Sequence, residues 1–310
     1  MVRDAFMHRK FIALGHPVRV LMYAALLAAM IGLVTSARAQ QSEDQHLCSA
    51  STGVSREQRL ESCTALIEAG LETPQNLAIA FNNRGDVHRA TRQYDRAIAD
   101  YDRAIELDPE YAAAFKNRGI VHRALRDYDR AIADYDRAIE LNPKYAAAFY
   151  GRGNAHRQKG RYDRAIQDYD HAIEIAPSYA AAFFARGRAY QDKARWDFEA
   201  YLNEGQYEAL AIRDYDDAIR LNPKNAAAFN NRGNVYVSKR MYDRAIQDFD
   251  EAIRLNPNGA LYFKNRGDAF RITGQYQSAI ADYRKALLLK IDEPIKKQIE
   301  KAFKELGVTG

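Results

Sequence analysis

Small and large apolar residues recur along this chain at a step of 34 residues, arranged in each block as two amphipathic stretches and a break. In the block Ala112–Tyr145, AAAFKNRGIVHRALRDYDRAIADYDRAIELNPKY, the residues Phe115, Gly119, His122, Ala131, Tyr135, Ala138 and Pro143 stand at block positions 4, 8, 11, 20, 24, 27 and 32. Ile132, Tyr135 and Ile139 are spaced by three and four, which puts them on one face of a helix. A small residue at Gly119 lets a second helix lie close against the first, Ala131 and Ala138 do the same from the other side, and the rings of Phe115 and Tyr135 fill the space between. Asn142-Pro143 closes the second helix, because proline has no amide hydrogen and the residue before it avoids helical backbone. A fixed period of this length predicts a stacked array of helix pairs, each burying its apolar face on its neighbours.

Six copies begin at Ala78, Ala112, Ala146, Ala180, Ala226 and Ala260. All six keep the glycine at position 8 (Gly85, Gly119, Gly153, Gly187, Gly233, Gly267) and the alanine at position 20. Proline stands at position 32 in five of them, and the last copy has Ile291 there, as suits a terminal unit running on into a cap. The block resembles a tetratricopeptide repeat, with Phe115 where tryptophan is usual and Arg118 where leucine precedes the glycine. The resemblance implies an all-α fold, a right-handed α-solenoid of helix-turn-helix repeats over residues 78–293, divided 78–111, 112–145, 146–179, 180–225, 226–259 and 260–293.

Residues 1–39 place Arg3, Arg9, Lys10 and Arg19 before the apolar run Val20–Val34, and Ala37-Arg38-Ala39 before Gln40. This reads as a secretory signal cut near Ala39, giving a periplasmic or secreted protein; a retained anchor is the alternative, although a run of 15 residues is short of the roughly 20 needed to span a bilayer. The formal charge of +5 shrinks accordingly, since five Arg/Lys and one Asp in this segment account for +4 and leave +1. A nucleic-acid partner, which calls for a strongly basic face, loses its support.

The two cysteines, Cys48 and Cys63, lie in segment 40–77, which reads as an N-terminal half-repeat cap. An exported protein with an even cysteine count is expected to pair them, with two buried thiols as the alternative. Copy four carries an insertion of 12 residues containing the single tryptophan, and Trp196, Phe198 and Tyr201 precede a turn at Asn203–Gly205. Both helices of that copy are expected to lengthen, and the three rings either pack on each other or contact a partner. Residues 294–310 form a capping helix, with Ile295, Ile299, Ala302, Phe303 and Leu306 on one stripe.

Catalytic patterns are missing from the sequence: there is no HExxH, no phosphate-binding glycine loop and no nucleophile elbow, so neither an enzyme nor a cofactor is expected. His88, His122 and His156 stand 34 apart, but Tyr190, Tyr236 and Phe270 hold the same position in the other copies, so this is a packing position and no metal site is expected. Arg at position 7 (Arg84 through Arg266) and Asp at position 23 (Asp100 through Asp282) occur in every copy and are expected to pair between helices or repeats. The remaining carboxylates of the DYD segments read as solvated faces.

In the family resembled, positions 2, 5, 6, 9, 12 and 13 of the first helix look into a concave groove. Carried over, position 12 supplies Arg89, Arg123, Arg157 and Arg271, and position 6 supplies Asn83, Asn117, Asn231 and Asn265. Lys116 and Lys264 come from position 5, and Asn154 and Asn234 from position 9. Asparagines can hydrogen-bond a peptide backbone of any sequence, while arginines take carboxylates bidentately. The expectation is therefore a non-catalytic adaptor holding an extended, acidic peptide or partner domain. The set by which chaperone-binding members grip a C-terminal carboxylate is not present in any three consecutive copies. The alternative is an assembly protein that associates with itself through the aromatic insertion and the array ends.

Overall fold

The computed structural model describes residues 16–50, 52–196, 205–289 and 291–308. Among the described residues there are fifteen helices and no strand. The chain divides into two compact units, Met1–Val121 and His122–Gly310.

The first unit holds α1 (His16–Ser49), α2 (Arg56–Ala69), α3 (Pro74–Ala90), α4 (Tyr94–Leu107) and most of α5 (Ala112–Ala124). Helix α1 runs unbroken through Ala37–Gln40. Helix α2 starts at a capping box, in which the Ser55 hydroxyl accepts from the Gln58 amide and the Gln58 side chain accepts from the Ser55 amide, and it stops at left-handed Gly70. A Cys48–Cys63 disulfide ties α1 to α2, with Leu66 and Ala80 buried beside it. In the chain-entropy picture, closing a loop of that length stabilises by about 3 kcal/mol. The first helix of copy one begins at Pro74, four residues before the repeat boundary at Ala78, because Thr73 caps it by accepting from the Asn76 amide and Pro74 presets the first turn.

The second unit continues with α6 (Tyr128–Leu141), α7 (Ala146–Gln158), α8 (Tyr162–Ile175), α9 (Ala180–Trp196), α10 (Gln206–Leu221), α11 (Ala226–Ser238), α12 (Tyr242–Leu255), α13 (Ala260–Ile272), α14 (Tyr276–Leu288) and α15 (Glu293–Glu305). Two kinds of turn alternate. Between the helices of a copy, one residue adopts left-handed backbone, and the next amide reaches back to the carbonyl of position 11, as Arg161 does to His156 at 2.9 Å. That left-handed residue is glycine at Gly160 and Gly274, but arginine at Arg92, Arg126 and Arg240. Between copies, the residue before the proline is extended, and where it is Asp or Asn its side chain accepts from the amide two residues on, as Asn142 does from Lys144 at 3.1 Å.

In copies one, three, four, five and six the position-8 glycine lies under the ring at position 24. A β-carbon on Gly153 would stand 2.8 Å from Tyr169 Cε1, and one on Gly187 would stand 2.9 Å from Tyr215 Cε1. Those rings are fully buried and have nowhere to go. Helices α9 and α10 of copy four, at 17 and 16 residues, are longer than the 13 and 14 of α7 and α8. At the C-terminus, α15 buries Ile299 and Ala302, and Phe303 meets Tyr283 edge-on with ring centres 5.8 Å apart.

Arginine at position 7 holds three partners at once. Arg186 donates from Nε and Nη2 to Asp214 of its own copy at 2.9 and 2.7 Å, and from Nη1 to Asp170 of the preceding copy at 2.5 Å. Its guanidinium also lies 5.6 Å from the centre of the Phe183 ring. Arg152, Arg232 and Arg266 repeat the arrangement with Asp168 and Asp136, Asp248 and Asp216, and Asp282 and Asp250. In the first unit Arg84 pairs with Asp100, and Arg118 pairs with Asp102 of the preceding copy. The link between copies therefore runs through the second Asp of each DYD segment, and the expectation that those carboxylates only face solvent is corrected.

Two outcomes follow from this packing. Gly153→Ala and Gly187→Ala should each cost about 1–3 kcal/mol by overpacking, read as a lower denaturation midpoint of the full chain; a midpoint at the wild-type value would contradict the contact. In double-mutant cycles Arg186 should couple to Asp214 by about 1–3 kcal/mol and less to Asp170, because Asp214 is 2% exposed and Asp170 41%; equal couplings would refute that ranking.

Candidate functional site

The first helices of successive copies touch along the face that carries positions 5, 6, 12 and 13. Asn117 Nδ2 donates to Asn82 Oδ1 at 2.9 Å, and Asn265 Nδ2 donates to Asn230 Oδ1 at 2.9 Å. Arg157 Nη1 donates to Asp192 Oδ2 of the next copy at 2.7 Å. These contacts commit part of the polar residues of this face to the stacking of copies.

Around Asp86 in the first unit, the Arg89 guanidinium pairs with its carboxylate at 3.1 Å and the Tyr101 hydroxyl donates to it at 2.9 Å. Burial works against the Arg89 charge, but Asp86 and Tyr101 outweigh it and hold the guanidinium above its ordinary pKa. Burial, with Asp86 acting in the same direction, pushes the Tyr101 hydroxyl far up, so it stays a donor. Lys116 hydrogen-bonds Asn117 Oδ1, and burial draws its pKa down against the pull of Asp86. Asn117 is itself buried, while Asn83 is half-buried and accepts a long bond from Asn82 at 3.4 Å.

In the second unit Asn154 accepts from the Tyr169 hydroxyl at 3.1 Å and donates to the Tyr150 carbonyl at 2.9 Å. Lys264 pairs with Asp268 at 2.8 Å, the Tyr283 hydroxyl donates to the same carboxylate at 2.7 Å, and Arg271 reaches Glu305 of the capping helix at 3.2 Å. Asn265 is buried, and Asn231 and Asn234 are half-buried, Asn231 accepting from Asn230 at 3.1 Å. Arg123 differs from its equivalents in having no carboxylate among the described residues; like Arg157 and Arg271 it is half-buried, with its Nε enclosed without a hydrogen-bond acceptor. Arg188, at position 9 of copy four, was missed as a candidate; it is exposed, with its guanidinium 5.9 Å from the Phe184 ring centre. The signal was available, since position 9 belongs to the groove set, but a basic residue occurring there once does not stand out from the repeat.

Trp196 ends α9 with 71% of its surface exposed, while Phe198 and Tyr201 lie outside the described residues. Behind it Tyr190 stacks on Tyr207 with centres 6.1 Å apart, and Lys193 lies 5.1 Å from the Tyr207 ring centre while pairing with Asp163. No group of three His, Cys, Asp or Glu able to hold a metal exists among the described residues, and none of the described helices is long and apolar enough to cross a membrane.

Tetratricopeptide-repeat family models match residues 78–111, 117–180, 199–240, 226–258 and 265–290. The chain belongs to the tetratricopeptide repeat proteins, and its fold is an all-α solenoid of such repeats. No curated protein sequence matches it significantly. Among solved structures, a tetratricopeptide repeat protein from Parabacteroides merdae is similar at 20% identity and a TM-score of 0.58, over 79% of this chain and 91% of that one. PilF of Pseudomonas aeruginosa is similar at 15% identity and a TM-score of 0.63, over 74% and 100%. TTC0263 of Thermus thermophilus is similar at 23% identity and a TM-score of 0.52, over 62% and 98%. These likenesses concern the fold; repeats of this kind typically serve as non-catalytic scaffolds for protein partners.

His88 and His156 are buried at position 11, with a ring Nδ1 that lacks a partner, and His88 Nε2 stands 3.7 Å from Asp100. Burial, the largest influence, outweighs the attraction of Asp100 and Asp168 and holds both histidines below their ordinary pKa. The folded state thus favours the neutral ring, so its contribution is complete above the unfolded value of about 6.5 and is lost as pH falls through the lower folded value. Replacing both by tyrosine, the residue of Tyr190 and Tyr236, should shrink the fall in Tm between pH 7.5 and pH 5; an unchanged fall would assign the acid sensitivity elsewhere.

Proposed function

We propose that this protein is a non-catalytic scaffold that holds an extended, acidic peptide segment against the face of its first helices. The observation that carries this reading is the chemistry left open on that face after stacking. Half-buried Asn83, Asn231 and Asn234 offer amides to a peptide backbone, and Arg123 and Arg188 are cations with no carboxylate among the described residues. Across all copies the groove positions hold seven cations (Arg89, Lys116, Arg123, Arg157, Arg188, Lys264, Arg271) against three carboxylates (Asp86, Asp192, Asp268), so a positive excess survives internal pairing. Charge-assisted hydrogen bonds to such guanidiniums are the strong ones, which makes carboxylates the preferred side chains of a ligand.

Export accords with the basic-apolar-small pattern of residues 1–39 and with a disulfide at Cys48–Cys63, a bond that persists in oxidising compartments. The partner is then a protein or peptide of the cell envelope.

The test is the charge preference of the wild-type chain. Fluorescence anisotropy with labelled, C-terminally amidated octaglutamate, octaglutamine and octalysine should rank them in that order, with the octaglutamate complex weakening as salt rises. Binding of octalysine as tight as that of octaglutamate would sink the proposal.

A further inference from the structure

Four arginines occupy position 12, and three are neutralised from within. Arg89 pairs with Asp86, three residues back on its own helix; Arg157 pairs with Asp192 of the next copy; Arg271 pairs with Glu305 of the capping helix. For Arg123 both acidic places are filled otherwise. Three residues back, where copy one has Asp86, the sequence has Ile120, and at the position equivalent to Asp192 it has Gln158. An enclosed Nε without an acceptor is common to Arg123, Arg157 and Arg271, so what sets half-buried Arg123 apart is that its charge meets no carboxylate among the described residues.

A half-buried guanidinium with no counter-charge has lost part of its hydration without gaining an ion pair, and an arriving carboxylate supplies the missing partner. We infer that Arg123 is the anchor of the peptide site, a seat for one carboxylate that replaces the one Asp192 supplies to Arg157. This inference rests on the acidic-peptide reading and narrows it to a position and a group. The carboxylate assigned to this seat is that of a Glu or Asp side chain, with a peptide's terminal carboxylate as the outcome that the last arm of the test would favour instead. Arg89, Arg157 and Arg271 then serve chiefly to hold neighbouring helices together, and their carboxylates keep the rest of the row from binding anions indiscriminately.

Three variants of the full chain test this with amidated octaglutamate as probe. Arg123→Ala should weaken binding about 10- to 100-fold, the worth of a charged hydrogen-bond pair. Gln158→Asp changes an exposed side chain and leaves Arg123 in place, yet it should produce a comparable loss with no drop in Tm, because it supplies the missing carboxylate from within. Asp192→Gln should act in the opposite sense, releasing Arg157 and tightening binding several-fold. If wild-type chain prefers octaglutamate but Arg123→Ala and Gln158→Asp bind it with unchanged affinity, the anchor assignment is overturned while the acidic-peptide reading stands. If wild-type chain shows no preference for octaglutamate, both fall. Octaglutamine carrying a free C-terminus, bound as tightly as amidated octaglutamate, would overturn the side-chain assignment in favour of a terminal carboxylate.

Discussion

In copies three to six one side chain, the arginine at position 7, ties the helices of its copy together and ties that copy to the one before. It lies over the phenylalanine three residues earlier, forks onto an aspartate of its own second helix and extends its remaining amine to an aspartate of the preceding copy. Taking a guanidinium and a nearly buried carboxylate out of water is costly, and the cost is offset only where geometry is bidentate and the other donors are satisfied. Burial opposes the charge on Arg152 and Arg186, yet their two carboxylates outweigh it and raise both pKa values. Apolar contact between alanines and rings would tolerate sliding by a helical turn, whereas an ion pair with fixed forks permits one register. The stacking of copies is thereby specified by polar contacts and stabilised by apolar ones.

That division explains what remains for a partner. The alanines and rings at positions 20, 24 and 27 of the second helices, with positions 4, 7 and 8 of the first, are consumed inside the array. The face of the first helices is polar, but it is not simply a row of open donors. Asn117 and Asn265 are drawn into bonds with Asn82 and Asn230, and most of the basic residues lean on acids of the chain itself. On the proposed reading, recognition falls to the places where a repeat omits the acid or amide that its neighbours supply, and specificity lies in departures from the consensus.

The fold was legible in the sequence because its determinants recur: Gly153 beneath Tyr169, the alanines that bring helices together, and the prolines that end them all appear six or nearly six times. The bridging role of Asp136, Asp170 and Asp216 was not legible, since an acid beside a tyrosine in a polar helix looks merely solvated until the neighbouring copy is placed against it. The Asn82–Asn117 bond was hidden for the same reason, being a contact between residues 35 apart that alignment of the copies puts at different positions. Arg123 presents the converse case. Its sequence position suggested a ligand contact shared by four residues, and only the contacts made by the other three distinguish it.

Copy four carries twelve additional residues, some of them in its longer helices, and still Arg186 meets Asp214 with the same fork that Arg152 makes with Asp168 over a shorter connection. The register of the array is thus indifferent to the length of the link between the two helices of a copy. Lengthening a loop raises its closure entropy only logarithmically, about 0.6 kcal/mol for each doubling. Such a joint is a place where an evolving array can acquire a new appendage without renegotiating its scaffold, and Trp196, exposed at the end of α9, marks where this chain has done so.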